Sequence, residues 1–279
     1  MSVANFIPTI WSARLLEHLD KAHVYGALVN RDYEGEISAY GDTVKINQIG
    51  DITVKDYDGE IDDPETLDNA QTTLTIDQQK YFNFSIDDVD NAQSNPKLMN
   101  SAMERAGYAM NDTTDRFLAN LMAVNAGSTI GSDATPIVPT ASTAYDYLVD
   151  LGTKLTEENV PATGRWVVVP AWYHGLLLKD DRFVKNGTDA GVAVLQGGLV
   201  GYAGGFAVWI SNNVPNTNGT KYKIMAGTNA GCSFAEQLTE VEAYRPEKSF
   251  SDAVKGLHVY GGKVVQPKAL ACMTANKTA

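Results

Sequence analysis

The chain has 279 residues, 44% of them apolar, and a formal charge of −12. That is enough for a sizeable core in one large domain or two intimately joined ones, and too acidic for the sequence-independent grip on DNA that Lys and Arg provide by neutralising phosphates. Cys232 and Cys272 form no CxxC, which excludes a disulfide framework or zinc ribbon and reads as two buried thiols; the N-terminus lacks an export signal, and no uncharged apolar run approaches the ~20 residues that cross a membrane.

Ile10 to Asn30 places Trp11, Leu15, Leu19, Ala22 and Val29 on one stripe, which predicts an amphipathic helix after an extended arm containing Pro8. Thr43–Ile49 and Ile52–Val54 alternate, and Leu74–Ile76 with Tyr81–Ile86 alternates again, which predicts two long strands around an acidic connection. That connection, Asp51 to Asp68, holds eight carboxylates against Lys55 alone. Asp56, Asp58 and Gly59 have a slight likeness to a calcium loop, but the ligand spacing with a terminal Glu is absent, so the segment reads as a solvated tip. A hairpin this long cannot cover its own apolar face and needs a body to lie on.

Asn95-Pro96 opens the longest helical segment, which runs to Val124 and spans ~43 Å; Pro96 fits the first helical position, where its missing N–H costs nothing. Met99, Met103, Ala106, Met110, Phe117 and Leu121 recur at helical spacing and read as a core stripe. Thr143 is placed to cap a second helix from Ala144 to about Glu158, with Tyr145, Leu148, Leu151 and Leu155 on one face. Trp166–Val169 then reads as a buried strand, and Pro170 starts a short helix through Leu178, an order that implies an α/β layer. Phe206–Ile210 and Lys221–Met225 supply further strands. Leu257–Tyr260, Lys263–Val265 and Ala269–Met273 alternate as strands expected to return to the first region.

Gly197, Gly198, Gly201, Gly204 and Gly205 crowd the approach to Phe206. They do not fit Gly-x-Gly-x-x-Gly, and the adjoining Phe206–Ile210 is aromatic and β-branched, so they read as turns and close packing rather than a phosphate cradle. The four histidines, His18, His23, His174 and His258, have no metal-ligand spacing, and no HExxH, GxSxG or P-loop occurs. His174, with Asp180 and Asp181 nearby in sequence, is the best catalytic candidate, but a third role is missing. Asp181-Arg182 reads as a surface or interface ion pair.

The order of these parts, with the blocks ATGRWVVVPAWYHGLLLKDDRF, GLVGYAGGFAVWISNNVP and FSDAVKGLHVYGGKVVQPKALA in succession, resembles the tailed-bacteriophage major capsid proteins of the Hong Kong ninety-seven fold, in the branch that includes phage P-twenty-two-like coats. The resemblance implies an α+β fold with five parts. These are an N-terminal arm and helix over residues 1–42, an E-loop over 43–90 that reaches over a neighbouring subunit, and a peripheral domain over 91–142 with Pro96–Val124 as its spine helix. An axial α/β domain over 143–250 and return strands of the peripheral domain over 251–279 complete it.

The implied function is a coat protein, not an enzyme, that self-assembles into the icosahedral head shell around double-stranded DNA, with no catalytic, cofactor-binding or metal-ligating residues. Its partners would be identical subunits in hexamers and pentamers, a separate scaffolding protein, which an arm beginning almost at Met1 favours over an already processed chain, a portal, decoration proteins and loosely apposed DNA, with no membrane. Its place would be the virion, and the host cytoplasm during assembly. Asp51, Lys55, Asp56, Asp58, Glu60, Asp62, Asp63 and Glu65 at the tip of the E-loop are the expected subunit-interface residues. A hydrolase using His174, or another virion component such as a decoration or tail protein, is the alternative.

Overall fold

In a computed structural model of the chain, residues 24–33, 41–49, 69–87, 97–180, 199–247 and 251–277 are described. The element that organises them is helix α1, Lys97–Asn125, which matches the helix expected over Pro96–Val124. Met103 and Met110 on its first half pack with Phe82, Phe84, Val241 and Val254, whereas Leu118, Ala119 and Met122 on its second half enter a different cluster with Trp166, Val168, Met225 and Leu270. One apolar stripe thus rests on two sheets in succession, which is why it needs so many turns.

The first sheet has the order β10 (Cys232–Tyr244), β11 (Ser251–Val264), β3 (Gln78–Asp87), antiparallel throughout. Over it lies the hairpin of β1 (Thr43–Ile49) and β2 (Asn69–Thr75), paired from Thr43↔Thr75 to Ile49↔Asn69. Val44, Ile46, Leu74 and Ile76 cover Ala235 and Val259, so the hairpin does have a body to lie on. The expectation of one long second strand is corrected. Leu74 and Thr75 end β2, and Tyr81–Ile86 belongs to β3, which pairs with β11 instead of β1. Alternation reports which face a residue takes, not which neighbour its strand has chosen.

The second sheet has the path β4 (Ser128–Ile130), β12 (Leu270–Asn276), β9 (Lys221–Gly227), β5 (Trp166–Val169), β7 (Phe206–Ile210), β6 (Leu199–Ala203), with β8 (Asn216–Thr217) beside β9. Helices α2 (Ala144–Glu157) and α3 (Ala171–Leu177) cover one face through Leu148, Leu151, Leu155, Tyr173 and Leu177. The other face meets α1. Covered on both sides, β5 is buried at all four positions, which explains an unbroken apolar run where one-sided burial would give alternation. Of the strands expected to return to the first region, β11 does so beside β3, but Ala269–Met273 does not. Its strand, β12, lies between β4 and β9 in the second sheet.

The helix expected to reach Asn30 lies outside the described residues up to position 23, and beyond that it is corrected: Gly26–Leu28 is a single 3-10 turn. The local carbonyl acceptors are replaced by the buried Asp115 carboxylate of α1, which accepts from the amides of Val24 at 2.8 Å and Gly26 at 3.3 Å. Tyr25 between them is fully buried, and burial, then the Asp115 charge, push its phenol well above the ordinary range. Asn30 next bridges to Ser233 at the start of β10. Asp115→Ala strands two amides and is expected to cost about 2 kcal/mol, measurable as a lower melting temperature. An unchanged one would mean that water replaces the carboxylate.

Thr143 is also corrected as a cap. Its hydroxyl accepts from the Thr140 amide at 2.9 Å and makes no capping bond to α2.

Candidate functional site

The expected interface residues Asp51, Lys55, Asp56, Asp58, Glu60, Asp62, Asp63 and Glu65 lie outside the described residues. The described hairpin carries that segment between Ile49 and Asn69, its last paired positions.

Gly204 and Gly205 before β7 are explained by the turn they make, while Gly197 and Gly198 lie outside the described residues. Ala203 pairs with Phe206 across Gly204 and Gly205, whose φ values of 58° and 86° are those of a two-residue type I′ hairpin. A Cβ on Gly204 would sit 3.5 Å from Leu148 of α2, so the turn also seats the hairpin on the helix.

His174 projects from α3, half-buried, and burial lowers its imidazole below the ordinary value. Asp180 is buried just beyond the helix; Asp181 and Arg182 lie outside the described residues. A histidine with a lowered folded pKa is taken up by protons more readily in the unfolded chain. Its effect on stability is therefore absent above its unfolded value, and stability is lost as pH falls through that value towards the folded one. His174→Gln should therefore show a smaller fall in melting temperature between about pH 7 and pH 5 than the parent chain. An equal fall would place the acid sensitivity elsewhere. Burial also pushes the Cys232 and Cys272 thiols up, to about 12 and about 11, which removes thiolate chemistry near neutral pH. Among the described residues no group of three or more His, Cys, Asp or Glu is placed to hold a metal ion.

Two polar clusters that sequence reasoning missed hold the molecule's joints. Glu236 on β10 receives Arg31 Nη2 at 2.6 Å on one carboxylate oxygen and faces His258 Nε2 of β11 at 3.1 Å with the other. His258 is 1% exposed, so the pair closes the inner side of the sheet while Arg31 ties the N-terminal segment to it. The only sequence signal was a histidine inside the alternating run Leu257–Tyr260. Arg165, 8% exposed, donates through Nε to the Pro161 carbonyl at 2.8 Å, through Nη1 to the Gly152 carbonyl and Thr156 hydroxyl, and through Nη2 to the Val160 carbonyl at 2.5 Å. It thereby ties the turn after α2, through the Val160 and Pro161 carbonyls, back onto the last turns of the helix at Gly152 and Thr156.

A groove of about 760 Å³ runs beside that clamp, between Val160 and Pro161 on one wall and Thr228, Gln266, Pro267 and Lys268 on the other. A smaller polar hollow of about 400 Å³ lies between α1 and Ser211–Asn213, where Arg116 Nε reaches Asn213 Oδ1 at 3.3 Å. Neither lining contains a histidine or a cysteine.

The described surface displays several large exposed side chains. Tyr81 on β3, Tyr108 and Val124 on α1, and Tyr202 on β6 are 78%, 68%, 83% and 69% exposed. Among the described residues both β3 and β6 end their sheets, with no described strand along the outer edge of either, and both display a tyrosine. Open edges and exposed large side chains are what a subunit presents to other chains.

No curated protein matches the chain. A family model described as phage capsid protein matches residues 69–273. The solved structure from Mycobacterium phage Che8 is similar with a TM-score of 0.72 at 31% identity, covering 90% of each chain. The capsid of cyanophage P-SCSP1u gives 0.68 at 15% identity, covering 92% of this chain and 89% of that one. The mature capsid of bacteriophage PhiM1 gives 0.65 at 14% identity, with 92% and 88% covered. The similarity thus runs over nearly the whole length, and the chain belongs to the phage capsid protein family, with the α+β coat fold of the Hong Kong ninety-seven type.

Proposed function

We propose that the chain is the major capsid protein of a tailed bacteriophage, the subunit that self-assembles into the icosahedral head shell around double-stranded DNA. The observation that carries this reading is the family match over residues 69–273, joined to a similarity with the Che8 structure that covers 90% of each chain. Identical subunits associate in hexamers and pentamers through heterologous contacts, and closure is set by curvature and by a separate scaffolding protein. A portal and decoration proteins complete the particle. The work of the subunit is association, not turnover, and His174 serves packing. With a net charge of −12, the shell stays loosely apposed to packaged DNA, since like charges limit adhesion while a few basic residues face it. Assembly takes place in the host cytoplasm, and the product is the virion capsid.

In this reading residues 43–90 reach over a neighbour, α1 with the first sheet forms the peripheral body, and the second sheet with α2 and α3 surrounds the capsomer centre, so that of residues 251–279 β11 rejoins the periphery while β12 stays with the second sheet. The acidic tip from Asp51 to Glu65 meets an adjacent subunit. Expression together with the scaffolding gene product is expected to give closed shells of uniform diameter by electron microscopy. A small monodisperse oligomer under every condition, scaffold included, would sink the proposal.

A further inference from the structure

Three passages of chain connect α1 and the first sheet with the second sheet: α1 to β4, β9 to β10, and β11 to β12. All three meet at one place. The Gly127 amide donates to the Pro267 carbonyl at 2.8 Å, the Thr228 amide to the Ala269 carbonyl at 3.2 Å, and the Val265 and Gln266 amides share the Gly231 carbonyl at 3.0 and 3.2 Å. At Gly127 and Gly227 the backbones approach too closely for side chains, and at Gly231 the Leu270 side chain fills the space. A Cβ would lie 2.6 Å from the Pro267 oxygen at Gly127, 2.6 Å from the Ala269 oxygen at Gly227, and 2.7 Å from the Leu270 side chain at Gly231. Leu270 itself is fully buried in the cluster that contains Leu118 and Met122 of α1 and Val168 and Met225 of the second sheet.

We propose that this crossing is a locked elbow that fixes the angle between the two sheets, so that copies of the chain placed in different surroundings change shape elsewhere. Two connecting strands would make a hinge if only one passage had to twist. Here any rotation pulls one passage away from two others, parting bonds that run between separate segments and opening space beside Leu270, and packed interiors yield to such changes in steps, not continuously. The three glycines are then required by contact, since side chains at these points would hold the passages apart.

Hydrogen exchange on the full soluble chain tests the elbow independently of any shell. The amides of Gly127, Thr228, Val265 and Gln266 are expected to exchange on the order of 100-fold more slowly than those of exposed turns; turn-like exchange at these four would overturn the proposal. Gly127→Ala and Gly231→Ala are expected to lower the melting temperature, whereas Gly175→Ala, with nothing within 4 Å of its Cβ, should not. If either elbow variant fails to fold, the exchange data on the parent chain still decide. If both melt like the parent, the close approach is elastic and the elbow is not locked. Where shells form, the proposal rests on the coat reading for a further comparison: symmetry-independent copies superposed on the second sheet should bring their first sheets into coincidence, and a rotation about residues 127, 228–231 and 265–269 would refute the lock without touching the coat assignment.

Discussion

Arg165→Ala is expected to destabilise the folded subunit by about 3–4 kcal/mol, read as a fall in melting temperature of roughly 10 °C. The side chain fans over the carbonyls of Gly152, Val160 and Pro161 and the Thr156 hydroxyl. Truncation leaves acceptors that water reaches only in part, and it also removes a buried aliphatic stem. The Gly152 carbonyl keeps the Thr156 hydroxyl as a donor at 2.8 Å, which holds the cost below the sum of four separate losses. Burial disfavours the charged guanidinium, so the clamp depends on its hydrogen bonds being made together. Arg165→Lys is the informative control, because a single ammonium cannot reproduce a planar fork reaching four acceptors. If the lysine variant melts like the parent, the fork is irrelevant and only the charge or the stem matters. The consequence reaches beyond stability: Val160 and Pro161 wall the groove beside the elbow, so a loosened clamp should also lower the yield of assembled particles.

How much of the fold is legible in the sequence depends on what each residue reports about its surroundings. Helices α1 and α2 were legible because a long stripe such as Met103, Met110 and Phe117, or Leu148, Leu151 and Leu155, states a period that only one conformation satisfies. Trp166–Val169 was legible as fully buried. Strand β10 was not anticipated at all. Its run Cys232–Tyr244 carries Glu236, Glu240 and Glu242, and the register shifts between Leu238 and Glu240, so the alternation breaks midway along the strand. Pairing was the other blind spot. That β3 turns from β2 to β11, and that β12 enters the second sheet, follows from packing between segments far apart in the chain. The same distance hid the joints: Arg31, Glu236 and His258 come from three separate segments, and Asp115 looks like any surface aspartate of an amphipathic helix until the N-terminal amides arrive. The glycines before β7 gave the right structural class from their spacing alone, because Gly204 and Gly205 side by side before an aromatic strand fit a type I′ turn and cannot open a phosphate-binding helix.

Deleting Asp56 to Asp63 is expected to leave the melting temperature of the soluble subunit nearly unchanged and to cripple particle formation. The described fold is held by four buried clusters, and the hairpin that carries the segment is already paired up to Ile49↔Asn69, so the folded subunit is expected to lose little. Assembly has more at stake. Eight carboxylates between Asp51 and Asp68 face a single Lys55, a density at which each charge raises the free energy of its neighbours unless cations from elsewhere compensate. A basic surface on an adjacent copy is the cheapest source of that compensation, and it would add register and partner choice more than raw affinity. The deletion removes five of the carboxylates: Asp56, Asp58, Glu60, Asp62 and Asp63. Raising salt should mimic the deletion weakly in the parent chain, since charges at an exposed rim are screened beyond ~8 Å at physiological ionic strength. A charge-neutral variant that keeps the length, with these five residues changed to Asn or Gln, separates electrostatics from reach. If it assembles as well as the parent while the deletion does not, length is what the tip contributes. If both assemble normally, the tip is a solvated loop and the interface assignment is wrong.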